Sequence, residues 1–136
     1  SRDGAKRDLA VELGADHAFE SGARLPDRVD AVMETVGAAT WSHSVNSLRP
    51  GGTIVISGAT SGDAPAKAEL TKIFFKQLRV IGSTMGSRFE LAKLARFVES
   101  TDLVPHVDSI LDLADAREGF AKIAAGDVGG KILLRA

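Results

Sequence analysis

Ser1, Arg2 and Lys6 place one hydroxyl and two cations around the start of a helical segment. Cations there oppose the helix dipole, which favours a bound anion; the competing reading is a solvated helix start, with Asp3 lying between them. A second candidate is Glu34-Thr35-Val36-Gly37, which ends an apolar run where a strand gives way to a turn. Open α/β sheets bind ligands at that strand edge, although a bare strand end followed by a glycine turn would use the same letters. Gly58, Ala59 and Thr60 follow the apolar run TIVIS in the same way, and without bulky side chains the backbone there can come close to a ligand.

Other chemistries find no support in the residue types. Cysteine is absent, which removes disulfides, thiolate nucleophiles and Cys-ligated zinc. His17, His43 and His106 have no metal-ligand spacing to one another, so each is read as structural. Asp30 and Glu34 share a strand with no nucleophile beside them, so a hydrolase constellation is not supported. Trp41, Phe74 and Phe75 have no basic stripe alongside and are read as packing or interface residues, not a base-stacking platform.

Seventeen Lys and Arg against eighteen Asp and Glu leave no electrostatic footprint for nucleic acid or an anionic membrane. No apolar run approaches the roughly 18 residues of a membrane span and the first ten residues are charged, so a soluble, cytoplasmic protein is expected. A chain of 136 residues, 44% of them hydrophobic, can bury one modest core.

The elements that must position these candidates alternate. Helices are expected over 5–13, 38–48, 67–77, 88–99 and 114–125, and strands over 16–20, 29–36, 53–57, 79–83, 107–111 and 131–134. Arg49-Pro50-Gly51-Gly52 reads as a turn between helix and strand, and Gly126 to Gly130 as a glycine-rich bend. This order predicts an α/β fold: a partial doubly wound, Rossmann-like parallel sheet with a C-terminal α/β segment. No strand precedes the first helix and no G-x-G-x-x-G turn occurs, so the sequence is expected to begin inside a dinucleotide-binding domain.

Four blocks in order, LGADHAF (13–19), VDAVMETVG (29–37), RPGG with TIVISG (49–58) and RVIGSTMGSRFEL (79–91), together with the terminal GGKILL (129–134), resemble medium-chain dehydrogenases and reductases of the zinc-binding alcohol dehydrogenase and quinone oxidoreductase type. The resemblance covers essentially the whole chain. It implies residues 1–85 as the second half of the dinucleotide-binding domain, and 86–136 as a segment returning to a catalytic domain. It also implies that the catalytic domain, with any catalytic zinc, lies upstream of Ser1, so that these residues hold no metal and supply no catalytic group.

By the same resemblance Ser1 falls where the adenosine ribose is read. NAD enzymes usually place an acid there; Ser1, Arg2 and Lys6 would instead donate to a 2′-phosphate, which favours NADP(H) over NAD. Thr35 and Val36 would flank the adenine. Gly58, Ala59 and Thr60 would approach the nicotinamide riboside; of Ser83, Thr84 and Met85 at the next strand end, the Ser83 backbone would hold the carboxamide and Met85 would border the ring; and Lys131 would sit near the pyrophosphate, unless it is an ordinary solvated lysine.

The function implied is the cofactor-binding portion of an NADP(H)-dependent oxidoreductase acting on alcohols, carbonyls or quinones and enones, inactive in isolation. The alternative is a non-catalytic module that folds and self-associates without cofactor. Strand 79–83 is expected to be an edge through which two copies pair, the competing expectation being a monomer whose edge is covered by helix 88–99.

Overall fold

A computed structural model describes residues 1–136, and the chain divides into two compact units, Ser1–Met85 and Gly86–Ala136. The first unit carries α1 (Gly4–Glu12), β1 (Val29–Glu34), α2 (Trp41–Ser47), β2 (Leu48–Ile56), α3 (Leu70–Phe75) and β3 (Arg79–Gly82). The second carries α4 (Arg88–Glu99), β4 (Val107–Asp112), a 3-10 turn at Leu113–Asp115, α5 (Ala116–Ala125) and β5 (Lys131–Arg135). The fold is α/β with parallel pairing throughout: β1-β2-β3 in one sheet, β4-β5 in the other. A parallel pair cannot be closed by a tight hairpin, and a helix lies in each of the three crossovers.

The core of the first unit is small and central. Val45, Leu48 and Ile54 are fully buried, where α2 lies across β1 and β2. Full burial of each such side chain is worth about 1.5–3 kcal/mol, so these three hold α2 on the sheet. The C-terminal end of α2 is closed by cations: Lys76 Nζ donates to the carbonyls of Val45, Asn46 and Leu48 at 3.1, 3.2 and 2.9 Å, and Arg28 donates to those of Asn46 and Leu48. Burial and the neighbouring Arg28 push the Lys76 pKa down. Trp41, at the start of α2, donates its indole N–H to Ala68 O at 3.2 Å.

Four sequence expectations are corrected. Residues 16–20 form no strand, because no neighbouring backbone ladder reaches them; a hydrogen bond from Ser1 N to Phe19 O at 2.9 Å ties them instead. The helix expected over 38–48 is the shorter Trp41–Ser47. Arg49–Gly52 does not separate helix from strand, since β2 already begins at Leu48; those four residues bulge out between the pairs Val29↔Leu48 and Ala31↔Thr53. The helix expected over 67–77 shrinks to Leu70–Phe75, because Glu69 adopts a left-handed φ of 59° and Gln77 one of 53°.

In the second unit, α4 starts with a reciprocal cap in which the Ser87 side chain accepts from Glu90 N and Glu90 accepts from Ser87 N. Asp108 sits beside the register shift of β4 and β5, where it accepts from Lys122 Nζ at 2.8 Å and from Gly129 N at 2.9 Å. Those two donors hold its carboxyl down at about 2.

Candidate functional site at the edge of the first sheet

Beyond the C-terminal ends of β1 and β2, the loops at 35–40 and 57–62 are joined backbone to backbone. Ser57 N donates to Glu34 O, Ser61 N to Val36 O at 2.7 Å, and Ala38 N to Gly62 O at 2.9 Å. Two glycines make this approach possible. A Cβ on Gly37, whose φ is +91°, would lie 2.5 Å from Gly62 O, and one on Gly58 would lie 2.9 Å from Thr35 O.

Glu34 organises the turn. Its Oε1 accepts from Val36 N at 2.8 Å, Gly37 N at 2.9 Å and Thr40 Oγ1 at 2.8 Å, while Oε2 accepts from Ser44 Oγ. Burial raises its pKa, but the hydrogen bonds from Ser44, Gly37, Thr40 and Val36 outweigh that and hold it below the ordinary value. At 3% exposure, its four donors favour the carboxylate form.

This edge borders a cleft of about 620 Å³ that brings Ser1 and Arg2 together with Val36, Thr40 and Ser61. A second hollow of about 320 Å³ shares Ser1, Val36 and Thr40 with it and adds Phe19, Glu34 and Thr35. Thus Ser1, Arg2, Thr35 and Val36 converge, and Gly58, Ala59 and Thr60 pack against the turn that carries two of them, with Thr60 Oγ1 donating to Thr35 O at 3.5 Å. Lys6, Ser83, Thr84 and Met85 of the same unit border neither hollow. Lys6 is in α1. Ser83 N continues the β2–β3 ladder by donating to Ile56 O at 2.8 Å, while Met85 is 98% exposed. Lys131 opens β5 in the second unit, its N–H donating to His106 O.

Sequence reasoning missed the hub formed by Glu34, Thr40 and Ser44. Thr40 and Ser44, one helical turn apart, share a face, but nothing local shows that this face returns onto the end of β1. His43, read as structural, has Nε2 2.8 Å from Ala23 O. No group of three or more His, Cys, Asp or Glu is arranged to hold a metal, so the residues present do not fit a zinc ion. No helix is long and apolar enough to cross a membrane.

A parallel sheet whose loops leave an open cleft at the C-terminal edge is the architecture of nucleotide-binding α/β proteins. The match to the zinc-binding dehydrogenase family model over residues 1–100 shows that the chain belongs to that family. It is 30% identical over 141 residues to the alcohol dehydrogenase of Geobacillus stearothermophilus, covering 96% of this chain and 40% of the relative. It is 28% identical over 140 residues to D-arabinose 1-dehydrogenase (NADP(+)) of Saccharolobus solfataricus, covering 96% and 39%. The crystal structure of an NAD-dependent alcohol dehydrogenase superposes with a TM-score of 0.86 at 30% identity, covering all of this chain and 42% of the other. The chain thus spans about 40% of the length of these relatives.

Proposed function

We propose that the chain is the cofactor-binding portion of an NADP(H)-dependent oxidoreductase acting on alcohols, carbonyls or quinones and enones, and that it is inactive in isolation. The observation that carries this reading is the convergence of Ser1 and Arg2 with Val36 on one cleft at the C-terminal edge of a parallel sheet. A nicotinamide dinucleotide, when bound, supplies the hydride; the chain's own residues bind and orient it. Ser1 and Arg2 donate to the 2′-phosphate, with Lys6 adding charge from α1. Thr35 and Val36 flank the adenine, and the close-packed Gly58–Thr60 backbone meets the nicotinamide riboside. Ser83, Thr84 and Met85 serve the carboxamide end, and Lys131 the pyrophosphate. The relatives divide between NAD and NADP by name, so the preference rests on Arg2 and Lys6 and the absence of an acid at Ser1. A cysteine-free chain suits a reducing cytoplasm.

Replacing Arg2→Ala and Lys6→Ala together is expected to raise the Michaelis constant for NADPH in the complete enzyme and leave that for NADH nearly unchanged; equal losses for both cofactors overturn the assignment. The 136-residue chain alone is expected to oxidise no NADPH with aldehydes or quinones. Turnover on the order of 1–1,000 per second overturns the inactivity.

A second reading, self-association, is favoured by β3. It is an edge strand of its sheet, with Val80 and Ile81 partly exposed and no proline. Two copies pair there in a homodimer, and Ile81→Pro, which removes a ladder donor, is expected to shift the dimer to monomer in light scattering. A wild type already monomeric at high micromolar concentration overturns it.

A further inference from the structure

Glu34 differs from the acidic groups that form ion pairs. Asp30, Glu69, Asp108 and Asp112 all have a cationic partner, whereas Glu34, the most buried carboxylate, takes its hydrogen bonds from two backbone N–H groups and two hydroxyls. A buried charge held by neutral dipoles alone costs desolvation energy, and a carboxylate suits such a place because it is acceptor-only where every neighbour donates. Two of those donors are the amides of Val36, which lines the cleft, and of Gly37, the next residue of the same turn.

We propose that Glu34 is the positioning residue for adenosine recognition: its carboxylate fixes the 35–37 turn, and the turn, not the carboxylate, meets the ligand. The assignment rests on the cofactor reading above. Because Oε1 takes three donors and Oε2 only the rotatable Ser44 hydroxyl, glutamine can stand in: its carbonyl keeps the three donors, and Ser44 turns to accept from its amide. Alanine leaves both turn amides without an acceptor.

The test is calorimetric binding of two probes, 2′-phospho-ADP-ribose and reduced nicotinamide mononucleotide, to the wild-type chain, Glu34→Gln and Glu34→Ala, with deuterium exchange at the Val36 and Gly37 amides. Stranding these donors is expected to weaken 2′-phospho-ADP-ribose about tenfold in Glu34→Ala. Glu34→Gln stays within about threefold of wild type, as a retained acceptor requires. Mononucleotide binding is unchanged in both, and the two amides exchange faster in the alanine variant only. If Glu34→Ala does not fold, Ser44→Ala, which removes the donor to the other oxygen, carries the comparison with a smaller loss. Equal loss of both probes, or unchanged exchange at Val36 and Gly37, overturns the positioning role while leaving cofactor binding intact. A wild type that binds neither probe overturns the cofactor reading, and the adenosine role with it.

Discussion

The two units solve the same problem with different means. In Ser1–Met85 a three-stranded sheet and α2 enclose a small apolar core, and a buried carboxylate fixes the loop beyond it. In Gly86–Ala136 a two-stranded parallel pair stands with one helix against β4, only Gly119 is buried, and Phe89, Leu91, Leu94 and Phe97 of α4 are all more than half exposed. Two strands alone are marginal in water. The difference teaches that the first unit derives its order from inside, whereas the second relies on polar ties and local helix signals.

The sharpest way to break that contrast is to empty each unit in turn. Ile54→Ala opens a void beneath α2 and is expected to cost about 2–5 kcal/mol in denaturant unfolding. Phe97→Ala, at 55% exposure, is expected to cost no more than about 0.5 kcal/mol. Comparable losses would show that α4 is packed as tightly as the sheet.

Glycine substitutions give the next contrast. Gly37→Ala combines a left-handed backbone with a collision against Gly62 O, and a loss of about 2 kcal/mol or more is expected. Gly119→Ala would place its Cβ 3.3 Å from Ile132 and Leu111, tight but without a backbone clash. A gain of about 1 kcal/mol in helix propensity offsets that crowding, so thermal melting is expected to move little. Smaller or similar is Lys76→Met, which leaves three carbonyls at the end of α2 without that donor and is expected to cost about 1–3 kcal/mol in the same unfolding assay.

The smallest effect separates the units by pH. Asp108 titrates at about 2 when folded against an ordinary 3.8, so its contribution is complete above about pH 4 and lost as pH falls through about 2. Circular dichroism of Asp108→Asn is expected to show a flatter acid limb than wild type. An unchanged limb would mean that the tie to Lys122 and Gly129 does not support the second unit.

Legibility from sequence followed the range of the forces involved. Helix α4 was readable to its ends because its apolar spacing is local. Strands β1, β3, β4 and β5 were placed within a residue or two for the same reason: short apolar runs bounded by glycine or polar turns. Residues 16–20 carried a strand-like pattern but no partner to pair with, a non-local condition. Helix α3 was overextended because backbone handedness at Glu69 and Gln77 leaves no mark in side-chain periodicity. That Ser1, Arg2, Thr35 and Val36 border one edge of the sheet was legible from the order of elements. The Glu34 hub was not, since its donors stand six and ten positions away and meet it only once α2 has docked.

The indole of Trp41 gives the first unit an optical property of its own. It is the sole tryptophan, and its N–H is tied to Ala68, in the segment between β2 and α3 that begins beside the cleft. Indole emission shifts with the polarity and hydrogen bonding around the ring, so the chain reports on that segment without any label. A ligand that draws residues 57–69 inward changes the Trp41–Ala68 contact and therefore the colour of the emission, while one that binds without moving the segment leaves the spectrum as it was.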